Sequence, residues 1–232
     1  MSDWLLGKVK EIISDFKRSG LQKVVNSWYK KRKKDIDALG KQLHKNGISA
    51  HMISIFGFVI GMMSVNFLAM NMYFEALICI LINPFCDLLD GAVARLDGVS
   101  SFGQFLDTCL DLIFYAGVIF GFALAQPEDN ALVACFLLFG FMASAVALLA
   151  YGAVCKTKNR SQSKEDEDIQ PFYFGGFVQG AEVSVCVILL CLMPFAFLPL
   201  AIALGCWCLV KALVIITTAY YKFVIAQKSR KL

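Results

Sequence analysis

The chain has 232 residues, 58% of them hydrophobic and 17% charged, with a mean hydropathy of +0.65. A water-soluble domain averages about 45–50% apolar residues, so the composition excludes an ordinary soluble enzyme and points to one integral membrane domain with a polar N-terminal extension. The net charge of +4 hides an asymmetry, because residues 1–48 hold 12 of the 22 Lys and Arg against 5 acids; directly ahead of an apolar domain, that stretch suits an anionic membrane surface and not nucleic acid.

Residues 3–19, DWLLGKVKEIISDFKRS, place Leu5, Val9, Ile12, Ile13 and Phe16 at helical spacing with charge opposite. This pattern predicts an amphipathic helix in the headgroup region, anchored by Trp4. Residues 21–46 continue with Val24, Val25, Trp28 and Tyr29 and then the run KKRKK at 30–34. A solvated basic helix and a juxtamembrane clamp on anionic lipid both fit; polybasic stretches beside apolar helices favour the clamp. Residues 1–48 thus form a basic juxtamembrane region, and residues 49–232 a membrane domain. The N-terminus shows no compact apolar run followed by a cleavage site, so no cleavable signal peptide is expected.

Six apolar segments follow, at 49–70, 72–90, 102–125, 131–154, 176–195 and 199–221. Each is near the roughly 20 residues that cross a hydrocarbon core. The expected fold is all-α: six transmembrane helices preceded by the amphipathic juxtamembrane helix. With the N-terminus in the cytosol, the inside connections are 91–101, 155–175 and the tail from 222. These carry Arg95, Lys156, Lys158, Arg160, Lys164, Lys222, Lys228, Arg230 and Lys231. The outside connections, near Asn71, at 126–130 and at 194–199, carry no Lys or Arg, a positive-inside pattern. Both termini are therefore expected in the cytosol. The polar stretch 156–170 reads as a linker. Nine cysteines, most of them inside apolar segments, read as packing residues and free thiols.

Four carboxylates stand out: Asp87, Asp90, Asp107 and Asp111, at the ends of the second and third segments. Charge in a bilayer is costly and marks function by default. At about 100° per residue, Asp87, Asp90, Gly91 and Ala94 share one helix face. Gly103, Asp107 and Asp111 step along one face of the next helix. Converging carboxylates need a neutralising partner. Mg²⁺, with its preference for hard oxygen ligands shared with phosphates, is the natural one. His44 and His51 lie elsewhere, which argues against zinc. The acids sit at the cytosolic rim, where a soluble nucleotide and a membrane lipid can both reach them.

The pattern Asp-x2-Asp-Gly-x2-Ala-Arg followed by Gly-x3-Asp-x3-Asp resembles the signature of the CDP-alcohol phosphotransferases, membrane enzymes of phospholipid synthesis. Asp87, Asp90, Gly91, Ala94, Arg95, Gly103, Asp107 and Asp111 fill its eight positions. The seven residues between Arg95 and Gly103 are one fewer than in many members, which shortens the cytosolic turn. The resemblance implies transfer of a substituted phosphate from a CDP-alcohol to an acceptor hydroxyl with release of CMP. It implies Mg²⁺ or Mn²⁺, as two ions held by Asp87, Asp90 and Asp107, with Asp111 ligating or beside one and acting as general base. It also implies a nucleotide site at Asp87, Gly91, Ala94, Arg95 and Gly103, and a homodimer. The family's Pro-Asn-x2-Thr stretch corresponds to Ala50, His51 and Ser54 here. Only the hydroxyl of Ser54 is kept, as a nucleotide-site candidate, and His51 reads as an interfacial residue.

Two further charges fall inside apolar segments: Glu182 in the fifth and Lys211 in the sixth. Either can touch the acceptor, or the two can pair for structure alone. The leading expectation is a metal-dependent transferase using CDP-diacylglycerol and a polar alcohol acceptor among the membrane lipids. Transfer from a CDP-linked small alcohol to a lipid or inositol-phosphate acceptor is the mirror version. A metal or ion transporter is the alternative from another class, but it predicts acids at midplane and repeated halves, and neither pattern is visible.

Overall fold

The computed structural model describes residues 20–98, 100–159, 181–220 and 223–224, with side chains for 33–98, 100–155, 183–220 and 223–224. The regular elements among them are helical. In chain order they are α1 (Gly20–Lys45), α2 (Ala50–Ala69), α3 (Tyr73–Asp97), α4 (Ser101–Ala125), α5 (Pro127–Asn159), α6 (Ala181–Leu192), a 3₁₀ turn (Pro194–Ala196) and α7 (Phe197–Tyr220). Five stretches are long and apolar enough to cross a membrane: α2, α3, α4, 127–155 of α5, and the 3₁₀ turn with α7. Of the segment expected at 176–195, the described part is the 12-residue α6, about 18 Å at 1.5 Å per residue. The helix expected at 3–19 and most of the stretch 156–170 lie outside the described residues.

Two expected connections are helical. α3 runs on through the signature to Asp97, because nothing between Gly91 and Asp97 breaks a helix. Gly98, at φ +90, ends it in a conformation that L side chains rarely adopt. Ser100 then caps α4, its hydroxyl accepting from the Gly103 N–H at 2.9 Å. The connection is thus 98–100 in place of 91–101. α5 starts at Pro127 instead of near 131, with Glu128 and Asp129 in its first turn. Proline fits a first helical position, and acids suit the N-terminal dipole. Only Gln126 separates α4 from α5, and the Asn130 amide stitches the corner by donating to the Phe122 carbonyl at 3.0 Å.

α2 is the hub of the acid-bearing part. It packs along both α3 and α4, whose own backbones stay apart over most of their length. Two glycines permit the approach to α3 and α4. A Cβ on Gly57 would stand 2.5 Å from the Cβ of Cys86, and one on Gly61 would stand 2.9 Å from the Phe114 ring. Small residues at such crossings let backbones close up where lipid offers no hydrophobic drive between helices. Beyond this point the main core gathers Leu68, Ile80, Phe114, Val118, Phe122 and Phe197, with the Phe122 and Phe197 rings stacked at 4.9 Å. α7 lies along α5, closest where a Cβ on Gly140 would meet the Gly205 carbonyl oxygen at 2.6 Å. α1 rests on the end of α3, burying Ile36 with Leu89, Ala92 and Val93. The nine cysteines are free thiols.

Because Gly57 sets the distance between α2 and α3, Gly57→Ala is expected to cost about 1–3 kcal/mol by overpacking, read as a lower Tm in detergent. Adding Cys86→Gly removes the opposing Cβ and recovers part of the loss. A Gly57→Ala protein melting with the wild type would show that this crossing has slack.

Candidate active site

The ends of α3 and α4 bring three acids together. One carboxylate oxygen from each of Asp87, Asp90 and Asp107 lies within 4.8 Å of the others. A hard cation holds its oxygen ligands at about 2.1–2.6 Å, so opposite ligands stand about 4.2–5.2 Å apart. The donor set therefore fits one divalent ion in both span and chemistry, all ligands being oxygen. Asp111 is not one of the three. It stands one turn beyond Asp107 on α4, about 6 Å along the axis, and is partly buried.

The three acids differ in surroundings. Asp87 is exposed and Asp107 half-buried, whereas Asp90 is 7% exposed. A buried carboxylate needs partners for its lone pairs. The Ser54 hydroxyl of α2 donates to Asp90 Oδ2, so a third helix reaches the cluster through the side chain singled out at the start of the first apolar segment. Asn83, one turn before Asp87 on α3, is also buried and abuts Gly61 of α2.

Gly91 and Ala94 lie on α3 beside the acids, both half-buried. The nearest side-chain atom to a Cβ built on Gly91 is Arg95 Nη1, at 3.6 Å. The other end of that guanidinium is occupied: Arg95 Nη2 donates to Asp37 Oδ1 of α1 at 3.0 Å. On α4, a Cβ on Gly103 would meet Ser100 Oγ at 3.0 Å and His51 Nε2 at 3.4 Å. The absence of a side chain at Gly103 leaves this face of α4 open beside the cap.

Sequence reasoning missed two residues at this rim. His51, partly buried on α2, reaches toward α4. Its ring lies 5.6 Å from that of Phe102, and its Nε2 is buried without a hydrogen-bond partner among the described residues. Its i, i+3 spacing from Ser54 was the available signal, since it puts both on one face of α2. Asp37 carried no signal, because nothing in a basic run tells which acid faces a signature arginine. Of the two remaining candidates, the Glu182 side chain lies outside the described residues. Lys211 sits on α7 with Nζ 5.4 Å from the Trp207 ring centroid, a cation–π distance, on a helix that packs along α5.

Comparison with known proteins covers the region that holds these residues. The profile of the CDP-alcohol phosphatidyltransferase family matches residues 48–219. The chain is 39% identical over 167 residues to the inner membrane protein YnjF of Escherichia coli, covering 71% of this chain and 81% of that protein. It is 38% identical over 96 residues to the archaetidylinositol phosphate synthase of Pyrococcus horikoshii, covering 40% of this chain and 50% of that protein. No solved structure matches the chain.

Titration with Mn²⁺ tests the three-acid cluster. Asp90→Asn is expected to weaken binding by about 100-fold, and Ser54→Ala, which frees Asp90 to rotate, by about tenfold. Wild-type affinity in Asp90→Asn would exclude the cluster as a cation site.

Proposed function

The chain belongs to the CDP-alcohol phosphatidyltransferase family, a family of membrane-bound transferases, and from that premise we propose that it transfers a phosphatidyl group from CDP-diacylglycerol to the hydroxyl of a small polar alcohol, releasing CMP. One observation carries this reading: three signature carboxylates from two helices converge within 4.8 Å, at a rim where Ser54 of α2 reaches Asp90 and Arg95 stands over Gly91.

In this reading Asp87, Asp90 and Asp107 hold Mg²⁺ or Mn²⁺, with Asp111 ligating or beside a second ion. When bound, the metal neutralises the pyrophosphate and stabilises the departing CMP. The chain's own residues do the rest. Gly91, Ala94 and Gly103 keep the helix faces low enough for the nucleotide to lie against backbone. Arg95 offers Nη1 to a donor phosphate oxygen. Ser54 keeps Asp90 in its rotamer. Asp111 takes the proton of the acceptor hydroxyl as its oxygen bonds the phosphatidyl phosphorus and the bond from that phosphorus to the CMP oxygen breaks. Positioning and charge neutralisation supply most of such a rate enhancement.

The protein is an integral, multi-pass membrane protein. The positive-inside distribution supports cytosolic termini and a cytosolic active site, which a soluble nucleotide product requires. The relative named as a synthase of archaetidylinositol phosphate favours a phosphorylated inositol as the first acceptor to try. Transfer from a CDP-linked small alcohol is the second reading, since the three-acid cluster would serve the pyrophosphate of either donor. Glu182 is kept as an acceptor candidate. Lys211, whose Nζ lies 5.4 Å from the Trp207 ring one turn earlier on α7, is kept beside it.

The test is CMP release by purified protein in mixed micelles with Mg²⁺ and CDP-diacylglycerol. Inositol phosphate, glycerol 3-phosphate, inositol, serine and choline are added in turn. CMP is expected with one acceptor, falling by about 10³-fold or more in Asp111→Asn, since general base catalysis and ion binding are lost together. CMP only from CDP-linked small alcohols would support the second reading. No CMP from any donor, with metal flux into proteoliposomes, would replace the enzyme by a transporter. Light scattering on the same preparation checks the expected homodimer as a mass of two chains.

A further inference from the structure

α1 is joined to the signature by more than apolar packing. Its inner stripe, Ile36, Gly40 and Leu43, lies on α3, and a Cβ on Gly40 would stand 2.8 Å from that of Ala92. Two polar pairs flank this contact. Asp37 Oδ1 meets Arg95 Nη2 at 3.0 Å, and His44 Nδ1 meets Asp97 Oδ1 at 3.1 Å. Asp37 and His44 are seven residues apart, two turns along the same side of α1.

The energetics divide the labour between these contacts. Arg95 is 46% exposed and Asp37 37%, and ion pairs this open contribute little to stability. The buried stripe already holds the helix. What the pair fixes is direction. An unrestrained arginine has many rotamers, and a guanidinium tied at Nη2 keeps a defined fork geometry. Here the tie leaves Nη1 over Gly91, on the side of α3 that carries Asp87 and Asp90.

We propose that Asp37 is a positioning residue for the donor: it holds Arg95 by one edge so that the other edge meets a phosphate of the CDP moiety. The N-terminal helix is then a working wall of the site as well as a membrane-surface element. This inference rests on the transferase reading above.

Donor kinetics, CDP affinity in the presence of Mn²⁺, and Tm test it on the full-length protein. Asp37→Ala is expected to raise the donor KM and the CDP Kd about tenfold, the scale of a modest misplacement of a binding group. Its kcat should change little, and its Tm should move by less than about 2 °C. Asp37→Glu is expected to recover most of the affinity. The double variant Asp37→Arg with Arg95→Asp restores an ion pair but turns a carboxylate toward Gly91, so donor affinity stays poor. Equal recovery in the double variant would overturn the proposal, because the pair would then be only a tie. Wild-type KM in Asp37→Ala would overturn it as well, as would a loss of activity that tracks a loss of Tm. A wild-type protein that turns over no CDP-alcohol and binds no CDP removes the transferase reading and this inference with it.

Discussion

Like charges crowded at the ends of membrane helices are the constraint to which the rest of this structure answers. Two unit charges 4 Å apart repel by about 4 kcal/mol at an effective dielectric constant of 20. Three carboxylates with oxygens within 4.8 Å of one another persist only if something else holds their helices in place, or if cations join them. The fold supplies the first condition. α3 and α4 do not close on each other along their length; both are held by α2, which brings no acid of its own. The opening between them is where Asp87, Asp90 and Asp107 meet.

The properties of α2 follow from that task. Gly57 lets it settle against the Cβ of Cys86 on α3, and Gly61 receives the edge of the Phe114 ring from α4, so both acid helices are seated on glycines of α2. Its first turn supplies the polar groups. Ser54 meets Asp90, and His51 presents a buried Nε2 beside Gly103. A helix that reads as a plain apolar span is therefore both the spacer and the back wall of the site. α1 completes the frame from outside by covering the buried face of α3 at Leu89, Ala92 and Val93.

The acids were legible in the sequence because the helical repeat alone groups them. Asp87 and Asp90 share a face, as do Asp107 and Asp111, and neither statement needs tertiary contacts. The helical class and the approximate spans of α2, α3, α4 and α7 followed from long, strongly apolar segments. Hydropathy misplaced the end of α3 and the start of α5, since it follows the apolar run while the helical backbone continues into polar residues. α3 carries Asp87, Asp90, Arg95 and Asp97 without interruption, and α5 begins in the polar run PEDN because proline and acids suit a helix start. The pairing of Asp37 with Arg95 was illegible for a different reason. These residues are far apart in the chain, and their meeting depends on how closely Gly40 lets α1 settle on Ala92.

The seven-residue link between Arg95 and Gly103 shows how local chemistry fixes the relation of the two acid pairs. A change of length between Arg95 and Gly103 would threaten to rotate one acid face against the other. α3 keeps its helical phase through Asp97, so Asp87, Asp90 and Arg95 hold their relative positions. The change of direction is confined to Gly98, at φ +90, and to Ser100, whose hydroxyl fixes the first turn of α4 at Gly103 N–H. From that cap onward the phase of Asp107 and Asp111 is set again by the helix. The turn can thus vary in length as long as it ends in a residue that caps α4 and begins in one that leaves α3 with positive φ. Gly103 lies between this cap and the His51 ring, where a Cβ would stand 3.0 Å from Ser100 Oγ and 3.4 Å from His51 Nε2. The open face of α4 at Gly103 thus begins directly beside the cap that sets its phase.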